Sequence, residues 1–260
     1  MTIPLPVYPR VTSVSAASYA TGDQARDSIL AAFSTNLASG VEVSNTLPLP
    51  TTLRGTRVVV TDSAGVSRDQ ALFFVSPQQI NFHLHAETAT GAATVTVYNG
   101  DAIIALGELS VNTLAPAIFT QNATGEGVPA AYGIRVSGGG SSVVNILTFD
   151  IGQSRWVPLA INPGTASEPV YLALFGTGFR AASEAGTVSV RIGTTPIPVQ
   201  YVGLSPGFIG LDQLNIGPLP LTLAGTGLQQ LTITINGRIA NFSKVIQLAF
   251  GAPPTAVAAR

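Results

Sequence analysis

The chain has 260 residues, 46% of them hydrophobic and only 10% charged, with a formal net charge of −1. That balance supplies ample core material and excludes wholesale disorder. A near-neutral chain whose sole lysine is Lys244 has no electrostatic footprint for nucleic acid. The absence of cysteine excludes disulfides, thiolate zinc sites and a cysteine nucleophile, and no apolar run reaches the about 18 residues that span a bilayer as a helix.

In chain order, residues 1–10 hold three prolines and read as an extended lead-in, without the charged and apolar regions of a signal peptide. A short strand is expected over Val11–Tyr19. Residues 23–32 predict at most a turn of helix running into a strand at Ile29–Phe33. Leu47-Pro-Leu-Pro-Thr-Thr-Leu53 is a proline-stiffened link. Arg57–Thr61 is a β-branched strand turned by Asp62-Ser-Ala-Gly65. Ala71–His85 then reads as strand, Ser76-Pro77 turn, strand, with Ile80, Phe82 and Leu84 alternating against Asn81, His83 and His85. Ala93–Tyr98 alternates cleanly before Asn99-Gly100, a strong hairpin signal.

Past Leu114–Thr120, the segments 130–136, 143–149 and 155–159 predict a three-stranded meander. Val170–Phe175 is a wholly apolar strand. Thr187–Ile192 is expected to pair with Ile197–Val202, and Leu231–Ile235 leads into a second hairpin signal, Asn236-Gly237. Lys244–Phe250 is the last strand, and Gly251–Arg260 is a small-residue tail.

Short strands at this spacing, with turn signals between them and almost no helical periodicity, predict an all-β protein built of sandwiches. The two halves also echo each other. Phe33–Leu37 answers Phe175–Phe179, and Arg57–Thr61 answers Val188–Ile192. Asn81 is answered 134 residues later by Asn215, and Asn99-Gly100 is answered 137 residues later by Asn236-Gly237. The expectation is two tandem immunoglobulin-like sandwiches related by an internal repeat, over 1–113 and 114–260, the second carrying the meander at about 130–159.

The motifs Val14–Tyr19, Ala32–Ala38, Pro48–Leu53, Phe74–Phe82, Thr90–Val97, Ala115–Thr120, Val170–Gly178 and Gly210–Asn215, in this order, carry a family likeness. The chain resembles the uncharacterised acidobacterial (Solibacter-type) C-terminal domain family over roughly 11–250, and each half is similar to immunoglobulin-like domains of the IPT/TIG type. The resemblance implies a module at the C-terminal end of large exported bacterial proteins, with no catalytic residues to carry over. The family tends to have proline near the position of His85, so any role for His85 would be particular to this chain.

Among candidate sites, a continued strand would put His83, His85 and Glu87 on one face beside Asn81, a donor set for zinc or another divalent metal; the competing reading is a solvent-facing polar row. Either histidine could serve a Ser-His-Asp arrangement, but no serine is singled out and there is no Gly-x-Ser-x-Gly elbow. Gly176-Thr-Gly178 and Gly225-Thr-Gly227 lack the strand–helix context of a phosphate loop and read as turns. Trp156, Tyr132 and Tyr171 would stack on sugars if exposed together, against the plainer reading of core aromatics. Asn81, Gln213 and Asn215 are expected to satisfy turn backbone groups. The sequence thus points to a non-catalytic extracellular or cell-surface spacer, assembly or adhesion module with no metal or cofactor. Its partners would be other protein modules or surface polymers, or its own copies through strand edges, with neither nucleic acid nor membrane insertion. The alternative is a carbohydrate-binding module.

Overall fold

The computed structural model describes residues 7–182 and 187–251. The expected N-terminal lead-in up to Pro6 and the tail beyond Gly251 lie outside these. Strands make up 53% of the described residues, arranged in several sheets, and a 3-10 turn lies at Leu221–Leu223. The chain divides into two compact units, Met1–Ala115 with Gly207–Gly210, and Pro116–Pro206 with Leu211–Arg260.

The first unit holds β1 (Thr12–Ser15), β2 (Asp23–Ala25), β3 (Ile29–Phe33), β4 (Glu42–Val43), β5 (Thr52–Leu53), β6 (Thr56–Thr61), β7 (Ser67–Asp69), β8 (Ala71–Val75), β9 (Gln79–His83), β10 (Gly91–Asn99) and β11 (Ala102–Asn112). One sheet runs β1-β3-β9-β8-β4; the other runs β2-β11-β10-β6-β5, with β7 also on β6. Alternation dictates what each sheet buries. Leu30, Ala32, Leu72, Val75, Ile80 and Phe82 of one sheet meet Val58, Val60, Val95, Val97, Ala105 and Leu109 of the other in a single core.

The second unit holds β12 (Ala117–Ile118), β13 (Ala131–Ser137), β14 (Gly140–Val144), β15 (Leu147–Asp150), β16 (Arg155–Pro158), β17 (Val170–Thr177), β18 (Val188–Ile192), β19 (Thr195–Ile197), β20 (Val199–Leu204), β21 (Asp212–Ile216), β22 (Gly227–Ile235), β23 (Arg238–Ile239) and β24 (Ile246–Phe250). Its sheets run β14-β13-β17-β21-β20, with β12 on β17, and β19-β18-β22-β23, with β24 on β22; β15 and β16 form a separate hairpin.

Registers recur between the units. Phe33 faces Gln79 and Ala31 faces Asn81 across β3 and β9; Phe175 faces Gln213 and Ala173 faces Asn215 across β17 and β21. The next strand slips in both units, between Leu72 and Phe74 on β8 and between Val199 and Tyr201 on β20, which brings Phe74 opposite Asn81 and Tyr201 opposite Asn215. Arg57 faces Tyr98, and Val188 faces Ile235.

Several expectations are corrected. Residues 23–25 are strand, paired parallel to Ser110–Asn112, not helix. The meander is two hairpins: the predicted strand 143–149 breaks at Asn145-Ile146, where Ile146 is buried, so Val143 pairs with β13 while Leu147 onwards pairs with β16. Residues 199–202 do not return onto β18. Only Thr195–Ile197 does so, and Val199 onwards joins the other sheet against β21. In the first Asn-Gly hairpin Asn99 is a paired strand residue, opposite Ala102, and Gly100-Asp101 makes the turn. In the second, Asn236 and Gly237 are the turn itself, at φ 47° and 76°. The Ser-Pro turns, by contrast, do repeat: Ser76 follows directly on Val75 and Ser205 on Leu204, and each donates its N–H across the turn, to the Gln79 carbonyl and to the Leu211 carbonyl of a longer second loop.

Candidate functional site

The histidine row breaks at its second member. Strand β9 ends at His83, and His85 opens a turn in which the Thr88 N–H and hydroxyl both donate to its carbonyl, at 3.0 and 2.7 Å. The His85 ring accepts the Glu87 N–H at Nδ1, 3.2 Å away, so it caps its own turn. His83 remains on the strand and contacts Asp27 from Nε2 to Oδ1 at 2.7 Å. The donor set expected of His83, His85 and Glu87 is therefore not assembled, and no group of three or more His, Cys, Asp or Glu side chains among the described residues is placed to hold a metal. No serine among the described residues hydrogen-bonds either imidazole.

The acidic residues with the strongest environments hold loops. Asp62 Oδ1 accepts the N–H groups of Ala64 and Val66, both at 3.0 Å, while Oδ2 accepts the Ala89 N–H at 3.1 Å and Arg68 Nη1 at 2.7 Å. Led by the Ala89 bond and only partly offset by burial, these donors hold its pKa down to about 2. Asp212 is fully buried. Its Oδ2 accepts the N–H groups of Phe179 at 2.7 Å and Arg180 at 3.1 Å, and its Oδ1 accepts Arg180 Nε at 2.7 Å. Here burial outweighs the guanidinium and the three donors and pushes the pKa up to about 6.

The aromatic candidates separate. Tyr132 on β13 faces Ala173, and Tyr171 lies two residues before Ala173 on β17, so both point away from the core with Phe175. Tyr132 and Phe175 pack with ring centroids 5.9 Å apart. Trp156 is elsewhere, 55% exposed on the β15–β16 hairpin and edge-on to Phe149 at 5.4 Å. The residue that sequence reasoning missed is Tyr201. Opposite Asn215 on the same outward face, it lies down over Gly203 and donates its hydroxyl to the Leu204 carbonyl at 2.6 Å. Its pattern position was hidden because the slip after Val199 reverses the alternation.

Asn81, Gln213 and Asn215 bond side chains rather than turn backbone groups, Gln213 Oε1 accepting the Ser205 hydroxyl at 3.5 Å. Gln79 Nε2 donates to Asn81 Oδ1 at 2.8 Å and Gln213 Nε2 to Asn215 Oδ1 at 2.9 Å, one amide pair on the outward face of each unit. The first turn is held instead by Ser76, whose Oγ accepts the Gln79 N–H at 2.9 Å. Asn241 was also missed. It is buried at φ 51°, its Oδ1 accepting the Ile118 N–H at 2.7 Å and its Nδ2 donating to the carbonyls of Ile118 and Gly125 at 3.0 and 2.9 Å.

In the first unit a cleft of about 830 Å³ is lined by residues that include Arg10, Thr12, Ser13, Thr61, Thr94 and Glu108. The buried Ser13 hydroxyl has no hydrogen-bond partner. None of the sequence-derived candidates lines this cleft. No protein-family model matches the chain, and a search of curated proteins finds no match.

Proposed function

We propose that the chain is a non-catalytic extracellular or cell-surface module, two immunoglobulin-like sandwiches related by duplication, that acts as a spacer and assembly or adhesion domain. The observation that carries this reading is how the reactive side chains are used. Asp62 and Asp212 are tied up by backbone N–H groups and arginines, His85 by its own turn, and His83 faces an aspartate with no serine at either ring. The recurring registers and the two matching Gln–Asn pairs support the duplication. The resemblance to the Solibacter-type family supports an exported setting.

A second reading, carbohydrate binding, is favoured by the outward face of the second unit. Tyr132 and Tyr201 are each 38% exposed there, around Phe175 and the Gln213–Asn215 pair. Aromatic faces stack on the C–H surfaces of pyranose rings while amides bond their hydroxyls. Trp156 takes no part in this reading.

One experiment separates the two. The purified chain is screened for saturable polysaccharide binding and for turnover of ester, peptide and glycoside substrates. The structural module shows neither. Binding that Tyr132→Ala or Tyr201→Ala abolishes would replace it with the carbohydrate reading, and turnover lost in His83→Ala would overturn both.

A further inference from the structure

Sheet edges invite pairing, and proteins blunt them with charges, prolines, bulges, shortness or cover. Most edges here carry such a device. Strands β4, β5 and β23 have two residues each, β2 is short and bears Asp23, and β7 bears Arg68. Strand β19 contains Pro196, β11 bears Glu108, and β20 is slipped by a bulge. Strand β1 is buried over Ser13–Ser15, and β24 is covered by bridges from Gly127 and Ile161. Strand β14 differs. Gly140-Ser-Ser-Val-Val144 ends its sheet with no charge, no proline and no bulge, its first four residues are exposed, and no other segment among the described residues bonds its outer side.

We propose that the outer edge of β14 is a self-association site at which two copies of the chain pair β14 antiparallel to β14 about a two-fold axis through Ser142. This rests on the assembly reading and names its partner. Ser137 and Gly140 close the two-residue turn of the β13–β14 hairpin, so Gly140, Ser142 and Val144 bond inward to β13, and Ser141 and Val143 turn their N–H and C=O groups outward. On the two-fold, Ser141 of one copy opposes Val143 of the other, and the two pairs exchange four backbone hydrogen bonds. The segment is self-complementary because it has no charge to repel its copy. Val143, 69% exposed, shares its face with Ile134 and would cover Ser141 of the other copy across the new edge. The sheet would then run through both copies.

The contact is small, so the expected dimer is weak, with a dissociation constant on the order of 100 µM. Sedimentation of the full chain from about 10 µM to about 1 mM tests it. Two variants leave the β13 bonds in place. Val143→Lys charges the edge, and Ser141→Pro removes an outward N–H where edge prolines are tolerated. The wild type is expected to dimerise with concentration, and each variant to weaken the dimer at least tenfold with an unchanged melting temperature. A wild type that stays monomeric throughout overturns the proposal while leaving the spacer reading intact. A dimer that both variants leave untouched overturns it as well.

Discussion

Asn241 offers the sharpest test of how the second unit is held together. Its side chain fastens Ile118 and Gly125, more than 110 residues away in sequence, through the three hydrogen bonds described above. Asn241→Ala removes all three and strands buried backbone groups. At roughly 1 kcal/mol net per bond this costs about 3 kcal/mol. Alanine must also adopt φ 51°, a left-handed conformation that costs about 1–2 kcal/mol more and that asparagine tolerates. The expected loss is about 4 kcal/mol, a large share of the roughly 5–15 kcal/mol that stabilises a domain. Asn241→Gly lifts the backbone strain but not the bond loss, so it should fall about 1 kcal/mol short of the alanine variant. Urea unfolding followed by the fluorescence of Trp156, the sole tryptophan and a residue of the second unit, measures both. Losses under about 1 kcal/mol in both variants would refute the fastening role.

Gly176→Ala should destabilise the same unit severely, because a Cβ there runs into the Ala117 carbonyl and the Phe179 ring; a melting temperature within error of wild type would contradict that packing. Asp62, with its pKa held below the ordinary carboxylate value, stabilises the fold fully above about pH 4 and loses that contribution as pH falls towards 2. Asp62→Asn should therefore lower stability at pH 7 and flatten the acid limb of the pH profile; an unchanged acid limb would be the contrary result. Asp212 works in the opposite sense. Its raised pKa makes the folded state hold a proton that the unfolded state releases, so its contribution declines as pH rises from about 4 to about 6 and is level above. Carboxyl NMR should place its midpoint near 6, higher still in Arg180→Met, and a midpoint near 4 would refute the dominance of burial.

The all-β class was legible because apolar alternation and turn signals act locally. Strands β3, β6, β10 and β21 lie within or close to the segments whose side chains alternate, and the repeated Asn81 and Asn215 occupy corresponding rungs. What stayed hidden depends on partners distant in sequence. Whether β20 joins β18 or β21 is a choice between two sheets that Val199–Leu204 alone does not encode. The row through His83, His85 and Glu87 failed because a period of two holds only while the strand lasts, and the turn at His85 ends it. Tyr201 was concealed by a bulge, and Asn241 by its separation of 123 positions from Ile118.

The spacer reading is tested most directly by stretching the full chain between its ends in a force spectrometer. Two separately folded units should give two abrupt unfolding events, releasing ~400 Å and ~500 Å of chain at about 3.3–3.6 Å per residue. A single event that releases the whole length, or gradual extension at low force, would contradict a module made of two cooperative sandwiches.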